Sequence, residues 1–589
     1  MLCNAFGYDE LCTHRAWLQL AERLAARQLP TLRFDYPGTG NSLGTEEDPG
    51  RIDAWIDSIA AAVDYLRAAS GVQQVTLGGF RLGATLAALA AQRLAHIDGL
   101  VLLAPVLSGK KYLRELHVHR QRWLSAHTEI SVAPAPDHAR TAGAFGFALH
   151  GDDVERLAAI DLRTDTTAPA RRVLLLDAND RAGGDALAAH YRAHGVAVER
   201  DAFGELDHFL VEARFSKMPV QAFATMSAWL ANRTDADDAV NAGRRDADVA
   251  LLPQPVPHAT TDVPTLAGAQ FVEQPVSFGA CFGVYCRPQR PFGNAPAVLI
   301  PNTAANHNIG DGRCFVLFAR RLAALGIASL RMDLGGLGDS APAERIVTLD
   351  SLHSPHACAD VMSGADWLVA HGHATVVTFG ICSGAFVGLH ACAAHPHIVG
   401  SFGVNLQKFV WEGEARMHRD STVASTRMLR RAALSANKWK RVLSGKAALA
   451  RTARGLSGRA TRHLERRFAD LLDAAVGWSF SPNGARRLLE RLRDKGVDVR
   501  LLYGEFDHGI DELKLQFGTG LRGLRRFPNV RVAMLPILDH SLFTRAAREA
   551  AMSDAQQWLL ERFCTPPDPA VRAAHARLAA MAPAPTADP

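Results

Sequence analysis

The sequence contains no apolar run approaching the ~18–20 residues of a helical membrane span, so no such span is expected. Its first residues, Met1-Leu2-Cys3-Asn4-Ala5-Phe6, lack the basic stretch, long apolar core and small-residue cleavage site of a secretory signal. Aromatic residues are sparse, at 7%. Nine cysteines stand at 3, 12, 281, 286, 314, 358, 382, 392 and 564, and none forms a Cys-x-x-Cys pair. An odd number so widely spread argues against a disulfide framework and for reduced thiols in a cytoplasmic protein. No metal site or cofactor is assigned. What the chain does have is length and apolar content: 589 residues, 48% hydrophobic and 21% charged. That is a globular profile, and it exceeds what one hydrophobic core usually organises.

Self-similarity organises the chain. Leu32-Arg33-Phe34-Asp35-Tyr36-Pro37-Gly38-Thr39-Gly40-Asn41-Ser42 returns as Leu330-Arg331-Met332-Asp333-Leu334-Gly335-Gly336-Leu337-Gly338-Asp339-Ser340. Each copy follows an amphipathic stretch, Trp17–Arg27 or Phe315–Leu325. Gly79-Phe80-Arg81-Leu82-Gly83 answers Gly380-Ile381-Cys382-Ser383-Gly384, each after a β-branched run. Leu174–Asp180 answers Leu501–Asp507, and Leu206-Asp207-His208 answers Leu538-Asp539-His540. Four landmarks in one order, with short apolar strands alternating with helical stretches, predict two tandem α/β modules with mostly parallel sheets flanked by helices. The expected boundaries are a first module over 1–231, a linker over 232–270, a second module over 271–563 and a weakly ordered, Pro-rich tail over 564–589. The second module has room for two leading strands before Ala297–Pro301, whereas the first begins almost inside its equivalent strand. Either the first sheet lacks edge strands or the natural start lies upstream; the second explanation is preferred.

The chemistry concentrates in the second module. A Gly-x-nucleophile-x-Gly run between strand and helix is a nucleophile elbow, whose flanking glycines let the backbone turn sharply enough to lift the central side chain. Here the centre is Cys382, and a thiol at a helix N-terminus beside an imidazole is readily ionised. Asp507 is the expected orienting acid and His540 the base, in the nucleophile–acid–histidine order of α/β hydrolases. Asp539 and His508 compete for these roles, but Asp539 adjoins His540 on one loop and is poorly placed to grip its ring. The oxyanion hole is expected from the Ser383 N–H and one near Asn302 or Thr303, with His307 and Asn308 on the same loop as candidates for substrate contact. In the first module Arg81 takes the elbow centre and cannot attack a carbonyl. Three readings compete there: a structural pseudo-enzyme, an anion site using Arg81 with Asp180 and His208, or separate chemistry from His208.

These residues also carry a family resemblance. Asn4-Ala5-Phe6-Gly7-Tyr8, His14-Arg15-Ala16-Trp17, Phe34 to Gly40 and Gly79 to Ala84 resemble the exosortase-system-associated hydrolases across most of residues 1–230. The second module resembles serine-aminopeptidase-like and dienelactone-hydrolase-like α/β hydrolases, the latter with a cysteine nucleophile. The resemblance implies two α/β-hydrolase domains, each with a helical cap, and a setting in extracellular polysaccharide production. A basic cap is expected at about 405–485. Residues 408–467 alone hold sixteen Lys/Arg and four Asp/Glu, a local +12 in a chain of net +5. That charge would steer an anionic substrate, and no nucleic-acid-binding motif accompanies it. The expected activity is hydrolysis of an ester or thioester by a Cys382–His540–Asp507 triad. Acyl transfer through the same acyl-cysteine, and a non-catalytic scaffold, are the alternatives.

Overall fold

A computed structural model describes residues 1–126, 141–177, 181–232, 264–341, 347–411, 413 and 484–564. The chain divides into two compact units, Met1–Arg122 with Asp137–Leu266, and Trp123–Pro136 with Ala267–Pro589. The division at Leu266/Ala267 falls inside the segment expected as a linker. The tail beyond Cys564 and most of the expected cap lie outside the described residues.

In the first unit the strands are β1 (Leu2–Cys3), β2 (Val75–Phe80), β3 (Ile97–Leu103), β4 (Thr141–Ala144), β5 (Phe147–His150), β6 (Arg172–Asp177) and β7 (Ala197–Ala202). β1, β2, β3, β6 and β7 form one parallel sheet in the order β1-β2-β3-β6-β7, while β4 and β5 pair as an antiparallel hairpin. The repeat motif around Arg33 contributes only a single parallel bridge to Leu2. Successive side chains of a strand point to opposite faces, and β3 shows the result. Leu100 and Leu102 join a core with Trp55, Ile59 and Val63 of helix Arg51–Ser70, whereas Val101 and Leu103 join Trp17 and Leu20 of helix Tyr8–Ala25 and Phe223 and Trp229 of helix Val220–Ala231. Both faces are covered, which is why these strands read as continuous apolar runs and not as alternating ones.

The second unit has β8 (Leu266–Ala267, at the unit boundary), β9 (Phe271–Phe278), β10 (Cys281–Pro288), β11 (Ala297–Pro301), β12 (Ser329–Asp333), β13 (Val376–Ile381), β14 (Ile398–Val404), β15 (Asp498–Gly504) and β16 (Val530–Leu535). They form one sheet in the order β16-β15-β14-β13-β11-β12-β10-β9-β8. β10 runs antiparallel to β9 and β12, and the strands from β12 to β16 are parallel. The order inverts at β11–β12, so β13 and its loops sit centrally at the carboxyl end of the sheet, where open α/β sheets hold their sites. This is α/β-hydrolase architecture. Alternation again splits the core: Leu299 packs with Val361 and Leu368 of helix Pro355–Ala370, and Val298 and Ile300 pack with Phe315 and Phe318 of helix Cys314–Ala324.

Charged groups lie wholly inside the second unit. Arg331 on β12 is fully buried and donates to Glu273 on β9 at 2.8 Å and to Asn308 at 3.3 Å. Glu273 also accepts from Arg320 at 2.6 Å. Asn308 in turn donates to Asp333 at 2.8 Å. These bonds fasten the loop after β11 to the sheet, so Asn308, a candidate for substrate contact on sequence grounds, is spent on the frame.

Candidate active site

Both elbows adopt the same strained turn. Cys382 has φ 51° and ψ −112°, and Arg81 has φ 54° and ψ −124°. Non-glycine residues at positive φ cost ~1–3 kcal/mol each and persist only where the surroundings fix them. The flanking glycines supply that fixing. A Cβ on Gly380 would collide with the backbone of Gly384, and one on Gly83 with the carbonyl oxygens of Cys3 and Asn4. Each elbow therefore closes against its own helix or the neighbouring strand end, and no larger residue fits.

Cys382 caps helix Ser383–Ala394 and remains partly accessible. Across from it, His540 Nδ1 lies 2.6 Å from Asp507 Oδ2. Asp507 has a side chain only 3% exposed, and its other oxygen accepts the Gly509 N–H at 2.7 Å. Burial alone would lower the imidazole pKa. The Asp507 carboxylate and the Cys382 sulfur outweigh it, through charge and through hydrogen bonds to the ring, and hold His540 well above its ordinary value. The structure thus brings Cys382, His540 and Asp507 together. Asp539 is occupied elsewhere: its two oxygens accept the Phe543 and Thr544 N–H groups at 2.8 and 3.1 Å. His508 caps helix Gly509–Phe517.

The oxyanion expectation needs one correction. The Asn302 N–H is spent in the sheet, donating to the Met332 carbonyl at 3.0 Å, and cannot serve. Thr303, whose hydroxyl donates to Ile381 O at 3.2 Å, and Ser383, whose Oγ accepts the Ala304 N–H at 2.8 Å, frame the elbow from either side. The Ser383 amide opens its helix, where the first N–H groups have no intrahelical acceptor.

Two residues without a sequence signal complete the site. Asn405, buried just past β14 at φ 51°, donates through its side-chain amide to the carbonyls of Asp539 and His540 at 2.9 and 3.0 Å. Its Oδ1 accepts the Gly504 N–H at 2.9 Å, so one side chain ties the histidine loop to the acid loop. Gln407 Nε2 lies 3.2 Å from His540 Nε2. A doubly protonated ring is met by the same amide with its oxygen turned inward. Lys408, from the start of the basic segment, pairs with Glu512 at 3.2 Å.

The first unit departs from the anion-site expectation. Arg81 donates to Asp9 at 3.3 Å and to Glu115, and its guanidinium stands 5.5 Å from the Tyr112 ring centroid. Burial would lower its pKa, but the two carboxylates raise it above the ordinary guanidinium value. A cation already held by two carboxylates has little left for an incoming anion. His208 is exposed on the short helix Leu206–Phe209, with no bond to Arg81 among the described residues, and Asp180 lies outside them.

Residues 10–142 match the family model described as serine aminopeptidase, S33, a hydrolase family. Among solved structures the chain is similar to an esterase of Pyrococcus furiosus (12% identity, 52% of this chain and 100% of that one, TM-score 0.32). It is similar also to a dienelactone hydrolase of Anabaena variabilis (14% identity, 50% and 100%, TM-score 0.31) and a proline iminopeptidase of Mycobacterium smegmatis (15% identity, 49% and 98%, TM-score 0.32). No curated protein matches it. With its sheet order and elbow, the chain is a hydrolase-type protein of α/β-hydrolase fold.

Proposed function

We propose that the second unit is a cysteine-dependent hydrolase of esters or thioesters. The observation that carries this reading is Cys382 at a strained elbow, facing a His540–Asp507 pair 2.6 Å apart. In the proposed reaction the Cys382 thiolate attacks the acyl carbonyl carbon and forms a C–S bond. The oxygen takes the negative charge against the Ser383 and Thr303 N–H groups. Collapse breaks the bond to the leaving alcohol or thiol, which takes its proton from His540. Water, losing a proton to His540, then attacks the thioester, and collapse releases the acid and restores the thiolate. Asp507 keeps the ring oriented and stabilises its charged form throughout.

The resemblance of the first 230 residues adds extracellular polysaccharide production as the setting of this proposal, while the dispersed cysteines favour the cytoplasm and the basic segment favours a small, anionic acyl substrate. No described helix is long and apolar enough to cross a membrane. The test is turnover of p-nitrophenyl esters and acyl-CoAs by wild type, Cys382→Ala and Cys382→Ser. A loss of ~10³-fold or more in both variants is expected. Undiminished turnover in Cys382→Ala would remove the reading, and product appearing only when an alcohol acceptor is supplied would turn it into acyl transfer.

A further inference from the structure

The first unit keeps the elbow turn without the nucleophile. Beside its elbow is a cavity of about 180 Å³, larger than the roughly 150 Å³ apolar void that takes up benzene. Its wall is mainly apolar: Phe6 and Tyr8 from the segment after β1, Leu116 from helix Gly109–Ala126, Phe145 and Phe147 from the β4–β5 hairpin, and Leu210. Tyr8 and Phe145 stand with ring centroids 4.4 Å apart, which gives the cavity an aromatic face.

The polar part of the wall is Asp9 and His119. Asp9 accepts from Arg81, and Glu115, which also accepts from Arg81, lies 3.8 Å from His119 Nε2. Two carboxylates therefore surround one guanidinium. Neither Arg81 nor Glu115 lines the cavity, and Asp9 presents to it with 19% of its side chain exposed. The wall offers a carboxylate or phosphate neither Lys nor Arg, while it presents the Asp9 carboxylate. It attracts a cation, which an aromatic face stabilises further.

We propose that this cavity is a binding site for a small primary amine carried on an aromatic or branched apolar body, with the ammonium against Asp9 and the body between Phe6, Phe145 and Phe147. The retained elbow strain then serves to hold Arg81 where it orients Asp9, not to present a nucleophile.

The test is calorimetric titration of the full chain with three probes of one size: benzylamine, benzyl alcohol and benzoate. Benzylamine is expected to bind at least fivefold more tightly than benzyl alcohol, and benzoate to show no binding that the cavity-filling variants remove. Asp9→Asn should weaken benzylamine at least fivefold and leave benzyl alcohol within twofold. Filling the cavity by Ala144→Trp, or separately by Leu116→Trp, should weaken both ligands at least tenfold; far-UV circular dichroism identifies a variant that has not folded, and the other then decides. Benzoate binding as tightly as benzylamine, and lost when the cavity is filled, would restore the anion reading of Arg81 and overturn this one. Equal affinity for the alcohol and the amine, or affinity indifferent to both filling variants, would overturn it as well.

Discussion

At the scale of single residues, the second unit's site depends on how much charge the His540 ring can carry. Asp507 and Cys382 raise its pKa against the opposing effect of burial, and that has two consequences. In the proposed reaction, Asp507→Asn should lower turnover by ~10⁴-fold, since ring orientation and the imidazolium both lose their support. Steady-state turnover of a p-nitrophenyl ester would measure it. The raised pKa also contributes stability, with a defined sign. A histidine protonated more readily in the folded state stabilises fully below its unfolded pKa of ~6.5, and the contribution fades as pH climbs through the higher folded value. Wild type should therefore lose stability relative to His540→Gln as pH rises above about 6.5, seen in urea midpoints. A difference independent of pH would contradict the assignment. Cys382, Asp507 and His540 are all legible in the sequence, because elbow glycines and strand ends mark such residues locally. Asn405 and Gln407 are not. Their partners lie 99 to 135 residues away, and an Asn or Gln after a strand has no spacing that gives away a tertiary bond.

At the scale of elements, the elbow and the loops around it are held by close backbone approach and by buried polar ties. Gly380→Ala would drive a Cβ into the Gly384 backbone. A loss of ~2–4 kcal/mol in urea unfolding is expected, since neither strand nor helix can withdraw. Asn405→Ala removes the three hydrogen bonds by which one buried side chain joins the histidine loop to the acid loop. It should cost about 2–4 kcal/mol and reduce turnover together with stability. Glu273→Ala would leave Arg331 buried with its main counter-charge removed, for a loss of ~3–5 kcal/mol in the same assay. Strand positions are legible where apolar runs are continuous: Ala297–Pro301 stands as read. The helix expected over Trp17–Arg27 instead runs Tyr8–Ala25. Its first turns carry Asp9, Glu10 and His14, polar residues that serve buried ties and so blur the amphipathic pattern. The misplaced role of Asn302 has a similar origin: a strand reads as ending at Pro301, but its hydrogen-bond ladder runs one residue further, to Met332.

At the scale of the whole molecule, the likeness of the two halves is the most legible feature of the sequence, and each unit has a parallel sheet and an elbow with the same turn. The divergence itself is only half readable. Arg81 at an elbow signals a lost nucleophile, but its neutralisation by Asp9 and Glu115 depends on two segments that sequence gives no reason to bring together. One chain thus carries two strained elbows of the same geometry and, in the proposed mechanism, one nucleophile. Mass spectrometry of the full chain after brief exposure to a p-nitrophenyl ester, with the acyl–enzyme trapped at low pH and digested, tests this most directly. The proposed mechanism predicts one acyl group per chain, on the peptide containing Cys382, and none in Cys382→Ala. An acyl group on any other residue, or an unmodified Cys382 in a chain that still turns over the ester, would contradict it.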